Sequence, residues 1–170
     1  MAPLRKRDMQ LRAATRDEIA EIWDERWFGK VVGIDTVYTP DDVMGLALTD
    51  HQDELVGLVT YHVDAPSGQI VTLDTIVRGR GFGRRLLESI ENKFHDLGLG
   101  RAWVLMTNDN LRAIGLYLSR GYRVIRVHLD AVDRVREHKP GLPDRGYEGI
   151  PLRDLWEFEK MGPLGGLPVP

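Results

Sequence analysis

Cysteine is absent from this 170-residue chain, so disulfides, thiolate metal sites and an acyl-cysteine intermediate are all excluded. Long hydrophobic runs are missing too. None approaches the roughly 20 apolar residues of a membrane-spanning helix, and the opening "MAPLRKRDMQ" lacks the apolar centre of a signal peptide. Nor is there an excess of charge of one sign: 23 Lys and Arg stand against 26 Asp and Glu, a formal net charge of −3. Such a balance does not suggest a surface made for wrapping nucleic-acid phosphates, and no nucleic-acid partner is expected. The five histidines show no metal-ligand spacing, so no metal is expected. With 42% hydrophobic and 29% charged residues, a soluble, cytoplasmic, single-domain protein is the simplest expectation. No internal repeat is present.

Hydrophobic periodicity divides the chain. In "TRDEIAEIWDERWF", Ile19, Ile22, Trp23 and Trp27 recur at helical spacing, with Thr15 as N-cap and Glu18 completing a capping box. Three strands follow, at about 44 to 49, 54 to 63 and 69 to 77, and suggest an antiparallel meander. Gly81 to Leu97 then reads as a helix with Phe82, Leu86, Leu87, Ile90, Phe94 and Leu97 on one face, stopped by Gly98. "RAWVLM" is a strand, "DNLRAIGLYLSR" a helix ended by Gly121, and "YRVIRVHL" a strand. This alternation predicts two crossovers between neighbouring strands, hence a single α/β or α+β domain with helices on a mixed, mostly antiparallel sheet. Beyond it, a short helical stretch turns Val132 and Val135 inward, a loop rich in Pro and Gly follows, and "IPLRDLWEFEK" is a last strand. The domain is expected over 1–160, and the tail over 161–170 is expected to be mobile or draped on a partner.

The stretch "RGRGFGR", Arg78 to Arg84, sets three glycines and three arginines between a strand and a helix N-terminus. Unpaired amides and the helix dipole make that position a natural anion site. Gly79, Gly81 and Gly83 permit a tight turn and close backbone approach, while Arg78, Arg80, Arg84 and Arg85 add charge. A plain turn with solvated arginines is the alternative. A P-loop needs Lys followed by Ser or Thr where Arg84 and Arg85 stand, and the glycine spacing does not match G-x-G-x-x-G. On periodicity, Tyr117 reads as a core tyrosine in a helix shared with Leu111, Ile114 and Leu118.

Arg78, Gly81 and Gly83 satisfy R-x-x-G-x-G, which resembles the acyl-CoA pyrophosphate loop of the GNAT acyltransferase superfamily. Downstream, Asn110, Ala113, Tyr117, Gly121 and Tyr122 resemble that family's second signature, and the likeness covers about residues 9 to 128 in element order. The resemblance implies a GNAT fold and an N-acetyltransferase that passes acetyl from acetyl-CoA to a primary amine by direct attack in a ternary complex. It implies that Arg78 to Arg84, with Val77, Gly79, Gly81, Phe82 and Gly83, hold the pyrophosphate. Ile76 and Asn110 would then lie along the pantetheine arm, and Tyr117 would protonate the leaving thiolate. That last role is chemically sensible, since a phenol of pKa near 10 can donate to a thiolate whose acid is about 8.5. A non-catalytic acyl-CoA-binding or regulatory module, and an RNA-modifying acyltransferase, are the alternatives from other classes.

An amine of pKa near 10.4 must lose a proton before attack, at a cost on the order of 4 to 5 kcal/mol at pH 7. The resemblance implies a carboxylate on the strand before the loop, sometimes acting through water, and Asp74 is the acidic residue there. Its alternative is to hydrogen-bond loop amides and shape the turn. His51, Glu54 and His62 are weaker candidates, and Asp109 reads as the N-cap of the helix after it. Trp23, Trp27 and Tyr38 are candidates for walls of an acceptor pocket, each with core or surface packing as its alternative. The segment over 129–150 suggests a lid or acceptor-specificity element, Arg153 and Asp154 sit near the last strand's start, and a homodimer contact is an equally plain use of this region.

Overall fold

The computed structural model describes residues 8–165. Strand β1 (Gln10–Ala13) leads to helix α1 (Arg16–Arg26), then to a small hairpin of β2 (Val31–Val32) and β3 (Val37–Tyr38). Next come β4 (Met44–Thr49), β5 (Leu55–Asp64), β6 (Ser67–Thr75), α2 (Phe82–Asp96) and β7 (Arg101–Thr107). The chain continues through α3 (Leu111–Ser119), β8 (Arg123–His128), α4 (Val132–His138) and β9 (Leu155–Met161). The main sheet has the order β1-β4-β5-β6-β7-β9-β8, and its neighbours are antiparallel except β6 with β7.

Local chemistry sets the helix ends. Thr15 Oγ1 accepts from the Glu18 amide at 3.2 Å and Glu18 returns a carboxylate oxygen to the Thr15 amide at 2.8 Å, the reciprocal box expected from the sequence. Helix α2 ends in a Schellman turn: Gly98 adopts φ +71°, and the Leu99 amide donates to the Phe94 carbonyl at 2.9 Å. Phe82, Leu86, Leu87, Ile90 and Phe94 are buried against the sheet, each contributing about 1.5–3 kcal/mol of apolar burial. Leu97, expected on that face, is exposed, because it is the cap residue where the helix axis already ends. On the other face, Ile19, Ile22 and Trp23 of α1 pack on Leu58 and Val71, and Val132 and Val135 of α4 pack with Val32, Leu152 and Leu155.

The structure adds to or departs from the sequence reading in three places. The first crossover, β6 to β7 through α2, joins neighbours, but the second does not: β9 inserts between β7 and β8, antiparallel to both. The long excursion between β8 and β9 lets the chain return there. Strand β1 and the β2–β3 hairpin were not legible, because two to four residues are too short to show an alternation. Packing also runs past residue 160. Met161 completes β9 and Leu164 is 1% exposed inside the main core, so packing continues into the stretch expected to be mobile or draped on a partner, while 166–170 lie outside the described residues. Among the described residues no helix is long and apolar enough to cross a membrane.

Candidate active site

Strands β6 and β7 run side by side only from Ser67–Arg101 to Ile70–Val104. At that point β6 carries a bulge: Thr60 pairs with Thr72 and Tyr61 with Ile70, leaving Val71 as the extra residue. The bulge shifts the strand's alternation, so that Thr72 and Asp74 both turn toward α1. Thr72 accepts from the Trp23 indole at 3.3 Å, and Asp74 from that of Trp27 at 3.1 and 3.0 Å. Beyond Ile70 and Val104 the facing edges of the two strands are not bonded to each other, which leaves a row of backbone donors and acceptors along a cleft.

A cavity of about 350 Å³ opens at this cleft, within the range of small-molecule sites. Gln69, Val71, Thr72 and Leu73 of β6 and Val104 to Thr107 of β7 form two of its walls, and Asn110, with Ala113 and Tyr117 of α3, faces it. Trp27, Phe28 and Tyr38 close another side, together with Lys139 from the end of α4. Tyr117 is 2% exposed, and its ring meets Tyr122 edge-on at 5.0 Å. Burial, reinforced by the charges of Glu91 and Asp74, holds its phenol well above the ordinary value, so it stays protonated and able to donate.

The glycine-rich turn lies at the end of β6. Gly79 and Gly81 both have φ +73°, in the left-handed region that glycine enters without a Cβ penalty, and Gly81 is the N-cap of α2 with no side-chain cap bond. The first-turn amides of Phe82, Gly83 and Arg84 are thus presented without a capping side chain. Arg78 and Arg80 are exposed, whereas Arg84 engages Glu88 at 3.2 Å and Arg85 donates to the Met9 carbonyl at 2.9 Å.

A sequence model described as the acetyltransferase (GNAT) family matches residues 9–122. The chain belongs to the acetyltransferase (GNAT) family, and with it to the acyltransferases. The curated "Uncharacterized protein YdhI" of Bacillus subtilis (strain 168) is 33% identical over 125 residues, covering 74% of this chain and 78% of that protein. Among solved structures, a Bacillus subtilis acetyltransferase in complex with CoA superposes with a TM-score of 0.68 at 20% identity, covering 94% of this chain and 99% of the other. An IAA acetyltransferase from Bacillus cereus ATCC 14579 gives a TM-score of 0.70 at 12% identity, covering 90% and 99%. At those identities the likeness speaks for the GNAT fold, which the mixed sheet here has.

Against this GNAT frame, the residues singled out from the sequence divide. Tyr117 and Asn110 line the cavity, and Asn110 is also the N-cap of α3, accepting from the Ala113 amide at 3.4 Å. That displaces Asp109 from the capping role expected of it. Asp109 instead accepts from Thr107 Oγ1 at 2.6 Å and from the Tyr147 amide at 2.9 Å, fixing the loop before β9 onto the cavity wall. Asp74 is buried but stands behind Trp27 rather than in the cavity lining, and its oxygens serve the indole instead of loop amides. Burial pushes its carboxyl above the ordinary value, while the Trp27 bond and the charge of Arg26 at 3.9 Å pull it partway back. Ile76 lies past the end of β6, with its amide bonded to the Val56 carbonyl at 2.9 Å and its side chain exposed. Val77 packs on the main core.

Of the aromatic candidates, Trp27 and Tyr38 do wall the cavity, whereas Trp23 is wholly buried in the core. His62 bonds the Asp42 carbonyl at 3.1 Å, His51 and Glu54 sit exposed at a turn, and Arg153 pairs with Asp130 at 3.6 Å. Asp154 accepts from the Asp130 amide at 2.9 Å. Sequence reasoning missed Phe28 and Lys139. Phe28 has φ +59° just after α1, and Lys139 sits in a polar-looking stretch, so neither carried a periodic signal.

Proposed function

We propose that the protein is an acetyl-CoA-dependent N-acetyltransferase that acetylates a primary amine by direct attack. The observation that carries this reading is the parting of β6 and β7 after Ile70–Val104, directly beside the buried Tyr117. The amides from Arg78 to Arg84 take the pyrophosphate at the two left-handed glycines. The pantetheine arm lies along the unbonded strand edges, with Asn110 beside it, and the thioester reaches Tyr117.

The amine enters past Trp27 and Tyr38 and attacks the thioester carbonyl. A C–N bond forms as the C–S bond breaks, the Tyr117 phenol gives its proton to the leaving sulfur, and the proton lost by the amine passes through water to Asp74, behind Trp27. Asp74 is suited to accept it because burial raises its proton affinity while Trp27 holds it in place. No acyl-enzyme is needed, and with no cysteine in the chain none forms on a thiol.

The test is thiol release from acetyl-CoA across a panel of amines, with wild type and Tyr117→Phe. Amine-dependent release that falls sharply in the variant supports the reading. Release that never depends on an amine, with acetyl-CoA bound, points to a binding module instead.

A further inference from the structure

Lys139, at the end of α4, is 6% exposed and lines the cavity. Its ammonium lies 5.7 Å from the ring centre of Trp27 and 5.9 Å from that of Phe28, and among the described residues it makes no hydrogen bond or ion pair. Two aromatic faces recover part of the cost of removing an ammonium from water, but a buried cation without an anion is still unfavourable. Burial, and then the nearby charge of Lys30, bring Lys139 down to about 8.

The rest of the lining gives Lys139 no ion-pair partner. Asp109 is its one carboxylate, and its two oxygens accept hydrogen bonds from Thr107 Oγ1 and the Tyr147 amide. Arg26 also lines the cavity, but it is already paired, with Asp74 and Glu25 each at 3.9 Å, and donates to the Thr75 carbonyl at 3.2 Å. Most of the other wall is apolar, including Val31, Val32, Val71, Leu142, Leu152 and Leu155. The cavity is therefore a largely apolar chamber in which Lys139, beside Trp27 and Phe28, is the cation without an ion pair among the described residues.

We propose that Lys139 receives a carboxylate of the acceptor, so that the substrate is an amine joined to an apolar body bearing a carboxylate. This rests on the acetyl-transfer reading of the same cavity. An acceptor carboxylate would give the buried ammonium the partner it lacks, and the aromatic pair holds the ammonium in place beforehand. A polyamine, by contrast, would bring further positive charge toward the unpaired Lys139, and is disfavoured.

The test uses products, so that turnover is not needed. Wild type, Lys139→Met and Lys139→Arg are titrated calorimetrically, with and without CoA, against N-acetylphenylalanine and N-acetyl-6-aminohexanoate. The uncharged amides of both, and N-acetylspermidine, are titrated alongside. In wild type at least one acid binds about tenfold or more tightly than its amide. Lys139→Met brings acid and amide together, Lys139→Arg retains a preference, and CoA affinity is the same in all three. Equal binding of acid and amide by wild type, no binding of either acid, tighter binding of the polyamine product, or a preference that survives Lys139→Met overturns the proposal. If Lys139→Met does not fold, the wild-type comparison of acid with amide decides alone. Failure of CoA itself to bind is a separate result, and counts against the acetyl-transfer reading.

Discussion

The indole N–H of Trp27 is shared between the two carboxylate oxygens of Asp74, at 3.1 and 3.0 Å, and this bond joins the wall of the cavity to the acid buried behind it. Burial raises the Asp74 carboxyl, and Trp27 is the largest influence opposing that shift. An acid that titrates higher folded than unfolded loses stability as pH rises between its two values. Trp27→Phe keeps an aromatic ring but removes the donor, so the folded carboxyl rises further and the loss extends to higher pH. The expected cost near neutral pH is about 1–3 kcal/mol in chemical denaturation. The acidic limb of kcat/KM should move to higher pH in the same variant. An unmoved limb means that Asp74 is not the group that limits the rate.

Tyr117→Phe separates chemistry from packing. The ring keeps its edge-on contact with Tyr122, so the melting temperature should be nearly unchanged. Turnover should fall about 10²- to 10⁴-fold, with little change in acetyl-CoA affinity. A variant as active as wild type removes Tyr117 from the mechanism.

Gly81→Val tests the turn. A β-branched residue at φ +73° costs at least about 1–2 kcal/mol and sets a side chain where the backbone must approach the pyrophosphate. Calorimetry should show acetyl-CoA affinity reduced beyond detection while circular dichroism still reports the folded sheet. Normal affinity in that variant overturns the loop assignment.

Away from the site, Glu91 of α2 is fully buried and takes Arg120 at 2.7 Å and Lys160 at 3.2 Å, binding α2 to the end of α3 and to β9. Removing one partner of a buried ion pair strands the others. Glu91→Gln should lower unfolding free energy by about 3 kcal/mol, toward the lower end for such changes because Arg120 retains Glu88 at 3.3 Å. A denaturation midpoint equal to wild type would show that the network adds no stability.

What the sequence made legible were features carried by a regular period or a fixed spacing. The apolar face of α2 up to Phe94, the Thr15 capping box and the inward Val132 and Val135 are local patterns, and each is found where the pattern put it. The glycine turn was legible for a similar reason, since Gly79 and Gly81 do adopt the left-handed conformation that only a few residue types tolerate. The bulge at Val71 was not, because an extra residue in one strand is defined by its partner strand and leaves no mark in a hydrophobic alternation. That bulge turns Asp74 toward Trp27, so the surroundings of the acid were hidden even though the residue was identified. Lys139 was hidden for another reason: a lysine near Pro and Gly reads as solvated, and only tertiary packing against Trp27 and Phe28 buries it.

The most direct check on the account is a calorimetric titration of the purified protein with acetyl-CoA, with NAD and ATP titrated in parallel as other ligands bearing a pyrophosphate or triphosphate. Binding of acetyl-CoA at one site per chain, with NAD and ATP at least tenfold weaker, is the predicted result. No binding, or equal binding of all three, would contradict the assignment of the parted strands and the glycine turn to acetyl-CoA.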